Sequence, residues 1–187
     1  MKTSSAATRS ITSILVATTT QNIEKTAQLV SLIRPNQLRY SPSTPAGCPP
    51  VTDLGHLLGH LLDCLAGFCA AFYVAFPKKL ASLQDLRNNQ VNHFCEPAEA
   101  LKRIRIYQAE IERGFRLCTD KDLKRKLRTL FRPEGEPLLA ILLANLEHLL
   151  NHKYQLFFYL RLLGEPVGTK DLYSLQEARR KLRKKPK

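Results

Sequence analysis

His148 and His152 are the pair of residues in this chain best spaced to do chemistry. On an α-helix, positions i and i+4 bring both imidazoles to one side, about 5–6 Å apart at Cβ, a spacing suited to a shared metal ion. They belong to a longer pattern. Asn145, His148, His152, Gln155 and Tyr159 follow steps of three, four, three and four, so five polar side chains share one face of a stretch otherwise rich in Leu, Ile, Phe and Ala. Polar groups at core spacing cost free energy unless something satisfies them. A divalent metal facing the interior is the partner this line points to; two separately hydrogen-bonded histidines are the alternative. Leu149 follows His148, so the H-E-x-x-H pattern of zinc peptidases is absent. A third ligand has to come from another helix, and His56 and His60, one turn apart, are the candidates. The Leu61–Leu62 run and Asp63 favour His60. His93 lies in a polar stretch and reads as surface.

The polar line sits in a segment from Pro137 to Leu163, which as one helix would span about 40 Å. Pro137 suits a first helical turn, Glu134 and Glu136 suit the positive end of the dipole, and Gly164 with Pro166 marks the stop. Its apolar character nearly all round predicts a central, buried helix. A first helix is expected over Ile11–Arg34, ended by Pro35, with a late start conceivable in the β-branched run to Thr20. Five prolines between Pro35 and Val51 make that segment an irregular crossover. Thr52 or Asp53 caps a second helix that runs to Phe76, before Pro77. Gly55, Gly59, Ala66 and Ala70 give it a small-residue face on which another helix could lie close. Lys78–Cys95 reads as polar loop. A third helix opens at Pro97 with Leu101, Ile104, Ile111 and Phe115 at helical spacing, and Lys121–Phe131 is a short amphipathic piece. No strand-like alternation and no internal repeat is evident. The pattern predicts an all-α four-helix bundle with long connections, at least one of them a crossover.

A chain of 187 residues with 44% hydrophobic content can bury a core of its own. Its formal net charge is +13, and the seven bases of Arg179–Lys187 plus a net +5 over Lys121–Arg132 account for all but one unit. Basic clusters of this kind bind phosphates, so a nucleic-acid-associated protein acting through patch and tail is the competing reading. The tail offers no aromatic residue for stacking, which argues against it. Outside the Pro137–Leu163 stretch no apolar run reaches the length of a membrane span, and there His148, His152, Lys153 and Arg161 indicate a protein core. Lys2 and Arg9 ahead of Ile11–Ala17 echo a signal peptide only faintly. Five cysteines, Cys48, Cys64, Cys69, Cys95 and Cys118, without a C-x-x-C pair, read as reduced thiols of a cytoplasmic protein. Cys64 and Cys69 fall in the apolar second helix and read as small core residues.

His148-Leu-Leu-Asn-His152-Lys-Tyr-Gln155, followed by Tyr159-Leu-Arg-Leu-Leu-Gly164, resembles the last-helix signature of the DinB/YfiT-like family of four-helix-bundle metalloenzymes. Asp53-Leu-Gly-His-Leu-Leu-Gly-His60-Leu-Leu-Asp63 is similar to that family's second helix, and Leu32-Ile-Arg-Pro with Tyr40-Ser-Pro42 to its linker. Lys153 and Tyr154 stand where the family has Arg-Gly. The resemblance runs from the first helix to Gly164 and implies one bundle over residues 1–170, with a basic tail at 171–187. It implies a three-histidine site made by His60, His148 and His152. Three neutral imidazoles leave open positions on a divalent ion, zinc or nickel first, as a catalytic site requires. Asp63, Asn145 and Gln155 are then candidates to orient the ligands or bind substrate, and Tyr159 to line the pocket. A purely structural hydrogen bond is the alternative for each. The implied activity is that of a thiol-dependent transferase or a hydrolase on a small molecule, a thiol included; a bundle holding a purely structural metal is the remaining alternative. The resemblance, the apolar excess of the long helix and the Gly/Ala face of the second together predict a homodimer.

Overall fold

Ser10 opens helix α1 (Ile11–Val30): its backbone is extended and its hydroxyl oxygen accepts the Ser13 N–H. The carboxylate of Asp120, from a distant loop, accepts the N–H groups of Ile11 and Thr12 at 3.1 and 2.9 Å. Helix therefore begins at the head of the β-branched run, because tertiary capping satisfies donors that local propensity leaves open. The structure, a computed structural model, describes residues 10–86, 88–129 and 132–175. Asp53 caps α2 (Leu54–Ala75), accepting the His56 N–H at 2.9 Å. A short α3 (Leu83–Leu86) interrupts the segment expected to be loop, and α4 (Pro97–Leu117) opens at its proline. Leu123 and Leu127 of the amphipathic piece are buried, while its Leu130 and Phe131 lie outside the described residues. That piece also corrects the expectation of no strands. β1 (Lys126–Leu127) pairs antiparallel with β2 (Glu136–Pro137), too short to leave an alternation in the sequence.

Helix α5 runs Leu138–Leu162, and Gly164, at φ 77°, turns the chain so that the Glu165 N–H reaches the Leu160 carbonyl at 2.9 Å. A last short helix, α6 (Thr169–Tyr173), packs Leu172 against the bundle beside α1, so the packed chain continues to Tyr173. Lys153 points to this side. Its ammonium donates to Asn22 Oδ1 at 2.8 Å and to the Leu172 carbonyl at 3.3 Å, and burial pushes its pKa down to about 8. The tail Arg179–Lys187 lies outside the described residues.

The fold is an all-α bundle. α1 packs on α4 and α5, and α2 packs on the same two, so α1 and α2 occupy opposite corners and so do α4 and α5. Both the Pro-rich connection and the hairpin-bearing connection thus cross the bundle. The central helix is α2, not α5: fourteen of its 22 residues are buried against nine of 25. Leu143, Phe158 and Leu162 of α5 face out, so much of its apolar surface is not core. Among the described residues α2 is also the helix long and apolar enough to cross a membrane, a property expected of the α5 stretch; α4 and α5 cover it instead. The glycine half of the small-residue face of α2 is filled within the chain, and by loop, while Ala66 and Ala70 line a cleft. A Cβ on Gly59 would collide with the His93 backbone and one on Gly55 with the Phe94 ring. The Asn92 N–H donates to the Gly59 carbonyl at 3.1 Å and the Cys95 N–H to the Gly55 carbonyl at 3.0 Å. Residues Val91–Cys95 are thereby stapled along two turns of α2.

Candidate metal centre

Packing α2 against α5 brings His60, His148 and His152 together. Ring centroids are 4.3 Å apart for His60–His152, 4.9 Å for His148–His152 and 5.0 Å for His60–His148. The Nε2 atoms of His60 and His148 are 3.1 Å apart. Of the two candidates on the second helix, His60 is the one that faces α5. His56 points out, with Nδ1 2.8 Å from the Asp53 carboxylate and its ring on the edge of Phe94.

The hydrogen bonds around these rings decide which nitrogens are bare. The Thr52 carbonyl can only accept, so the Tyr159 hydroxyl donates to it at 2.8 Å. Tyr159 Oη then accepts Gln155 Nε2 at 3.0 Å, which turns Gln155 Oε1 to His152 Nδ1 at 2.9 Å. His152 must donate from Nδ1, leaving Nε2 with an open lone pair. For His60 the same service comes from Asn92, whose Oδ1 hydrogen-bonds Nδ1. Asn92 holds a left-handed backbone, φ 56°, to do so. Burial, and then the neighbouring imidazole of His60, lowers the pKa of His148; burial, with His60 and His148 beside it, does the same to His152. The Nε2 atoms of His60 and His148, 3.1 Å apart, either share one proton as a hydrogen bond or both turn a lone pair to a single cation. Imidazoles on one tetrahedral ion at about 2.0–2.1 Å have their nitrogens roughly 3.3 Å apart, so this donor set fits a divalent metal.

The other residues singled out in the sequence divide. Gln155 and Tyr159 form the relay to His152. Asp63 stands at the outer edge, Oδ2 3.9 Å from His60 Nδ1. Asn145 is engaged elsewhere: its amide donates to the Ile141 carbonyl at 2.9 Å and its side chain lies over Gly67. Two residues escaped the sequence reading. One is Asn92. The other is Cys64, one turn after His60, whose Sγ lies within 4.8 Å of the donor atoms of all three histidines. Burial, with Asp63 adjacent, pushes that thiol up to about 12. The signal was its i, i+4 spacing from His60, the same spacing that links His148 to His152.

A cleft of about 870 Å³ opens beside the cluster between α2 and α5, with His148 and Asn145 at one end. A second group of metal-capable side chains, His93, Cys95 and Glu99, occupies the far side of the Val91–Cys95 loop. His93 is not the surface residue expected, because its ring is tucked against α4 with Nε2 3.0 Å from Glu99 Oε1.

Among solved structures the chain is similar to that of the DinB-like protein YjoA from Bacillus subtilis, with a TM-score of 0.60 over 81% of this chain and 92% of that one, at 18% identity. No family model matches the sequence, and no curated protein matches it significantly. The chain therefore has the DinB-like fold that its sequence resemblance implied.

Proposed function

We propose that this protein is a metal-dependent enzyme of the DinB/YfiT-like class, with His60, His148 and His152 holding one divalent ion, zinc or nickel. The observation that carries the reading is the convergence of three imidazoles, two of them held with Nδ1 donating outward and Nε2 bare. When bound, the ion supplies Lewis acidity, enough to bring a water's pKa to about 7 or to favour a thiolate. Asn92 and the Gln155–Tyr159–Thr52 relay hold the rings in the ligand-competent tautomer. Asp63 adds a carboxylate at the exposed edge, where it offsets part of the ion's charge and accepts a proton from a reacting group. Cys64 closes the buried side. The cleft beside His148 admits a small molecule, and the reaction is transfer to or from a thiol, or hydrolysis.

Metal analysis of the purified protein tests this directly. Stoichiometric zinc or nickel is expected in the wild type and its loss in a His148→Ala/His152→Ala double variant; retention there would sink the assignment. A thiol co-substrate screen on the loaded protein then separates transfer from hydrolysis and from a purely structural metal. In solution we infer a homodimer, supported now by the exposed Leu143, Phe158 and Leu162 of α5 rather than by the filled Gly face of α2. Light scattering that gives 21.2 kDa across a hundredfold dilution from well above micromolar would exclude it.

A further inference from the structure

We propose that the substrate of this site carries an unbranched apolar chain, which lies in the cleft between α2 and α5 with its reacting polar end at His148. The inference rests on the metal-site reading above and adds the substrate class. His148 is the ligand histidine that lines the cleft, and Asn145, one turn before it, lines the cleft too, so the cavity leads straight to the cluster. From there it follows both helices: Gly67, Ala70 and Val74 on α2, Ile141 and Ala144 on α5, with the buried ring of Tyr107 from α4 also lining it. Gly67 to Val74 spans about 10 Å of helix rise. The volume, about 870 Å³, is that of a small-molecule site.

The walls ask for an apolar occupant. Ala70 and Ala144 are exposed, one on each helix, where larger side chains would close the groove. One of the two amide hydrogens of Asn145 goes to the Ile141 carbonyl, and Tyr73, Asn89 and Thr129 add the other uncharged polar groups of a mostly apolar wall. Arg132 and Glu136 at the rim pair with each other at 3.9 Å, which leaves little net charge to attract an ionic body. Apolar surface in a concave site gains by leaving water, and a chain anchored by its head at the histidines is the shape that covers it. The head must carry a lone pair able to meet a metal, as a thiol, hydroxamate or carbonyl does.

The test uses full-length protein loaded with cobalt(II) and a series of n-alkyl hydroxamates from methyl to nonyl. Kd is read from the cobalt absorption and checked by calorimetry. Affinity should tighten about fourfold per added methylene, the transfer free energy of one buried CH₂, and level off once the groove is full. Ala70→Phe and Ala144→Phe, each at an exposed position, should flatten the series while leaving cobalt content and methyl hydroxamate binding unchanged; either one suffices if the other fails to fold. A flat series in a wild type that binds cobalt and the methyl compound normally overturns the inference and leaves the metal site standing. So does a chain-length gain that survives the phenylalanine variants. Failure of the wild type to take up cobalt removes the site reading and the inference with it.

Discussion

Asn92 turns its amide to His60 while the next residue, His93, turns its imidazole to Glu99, so neighbouring loop residues serve two different groups of potential metal donors. The groups resemble each other in residue type and differ in what their lone pairs are doing. Around Glu99 the carboxylate is already paired, although the buried Nδ1 of His93 has no hydrogen-bond partner among the described residues. The Glu99 carboxylate accepts from His93 at 3.0 Å and from Arg103 at 3.2 Å, and Arg103 also donates to the Tyr107 hydroxyl at 3.1 Å. Although partial burial opposes it, hydrogen bonds from Arg103 and His93 hold the Glu99 carboxyl below its usual range. Burial, and Glu99 nearby, push the Cys95 thiol up to about 12. A metal ion there would have to displace an arginine. Around His60 no side-chain cation stands among the described residues, and the outward hydrogen bonds of His60 and His152 each leave an inward lone pair. Donor identity alone does not make a metal site; unspent lone pairs aimed at one point do.

The contrast breaks most sharply if the metal follows the wrong group. A His93→Ala/Cys95→Ser variant should keep stoichiometric metal, and so should His56→Ala, whereas His60→Ala loses most of it; atomic absorption on the purified variants decides. Loss of metal with His56→Ala but not with His60→Ala would reverse the choice of turn on α2.

Removing an orienting acceptor should cost less than removing a ligand. Asn92→Gly keeps the left-handed backbone and deletes only the amide, and we expect metal affinity to fall about 10–100-fold, as for other partners of ligand histidines. Asn92→Asp, which still accepts from His60 Nδ1, should recover much of it. Competition against a chromophoric chelator reads both. Equal losses in the two variants would mean that the loop, not the hydrogen bond, matters.

The two groups also separate in pH. In metal-free protein, the folded pKa values of His148 and His152 lie below the ordinary 6.5, so the unfolded chain binds more protons. Their contribution is complete above about 6.5 and is lost as pH falls through the lowered folded values. Glu99, also lowered, contributes above its ordinary 4.5 and is lost only as pH falls below that. Thermal melts of metal-free wild type, a His148→Gln/His152→Gln variant and Glu99→Gln should show two separate windows, each worth about 1 kcal/mol or less because the groups are partly exposed. A single window that disappears with Glu99→Gln would refute the histidine part. The smallest effect is expected from deleting Arg179–Lys187: metal content and melting temperature should not change, and a drop in either would mean that the tail packs on the bundle.

The histidine pair and its polar line were legible because they lie on one helix, where the 3.6-residue period converts spacing into a face. Cys64 obeys the same rule, but a thiol in an apolar run usually means core, and its spacing alone does not set it apart. Asn92 was not legible. It is 32 residues from His60, it follows Asn88 and Asn89 in a polar loop, and nothing local distinguishes it from them. The Gly face of α2 announced a close approach correctly but not its partner, since a missing Cβ admits loop backbone as readily as a helix. The leucines of α5 run all round and so predict a central helix, but hydrophobicity along a chain does not say which side a neighbour will cover.

The sequence by itself determined the four long helices, the Asp53 cap, the Pro97 opening and the Gly164 stop, the all-α class and the residues able to ligate a metal, although α1 ends at Val30 rather than at Arg34. These follow from interactions within a few residues: side-chain caps, prolines without an N–H, and periodic burial. The tertiary structure alone decided that α1 and α2 stand on opposite corners, that α2 is the core, and that His60 rather than His56 meets α5. It also decided which nitrogens are left bare, since the direction of the relay is set by the Thr52 carbonyl, 100 residues before the nearest histidine of α5 that it governs. Hydrogen-bond direction and lone-pair convergence depend on where distant backbone ends up, and spacing along one helix carries no record of that.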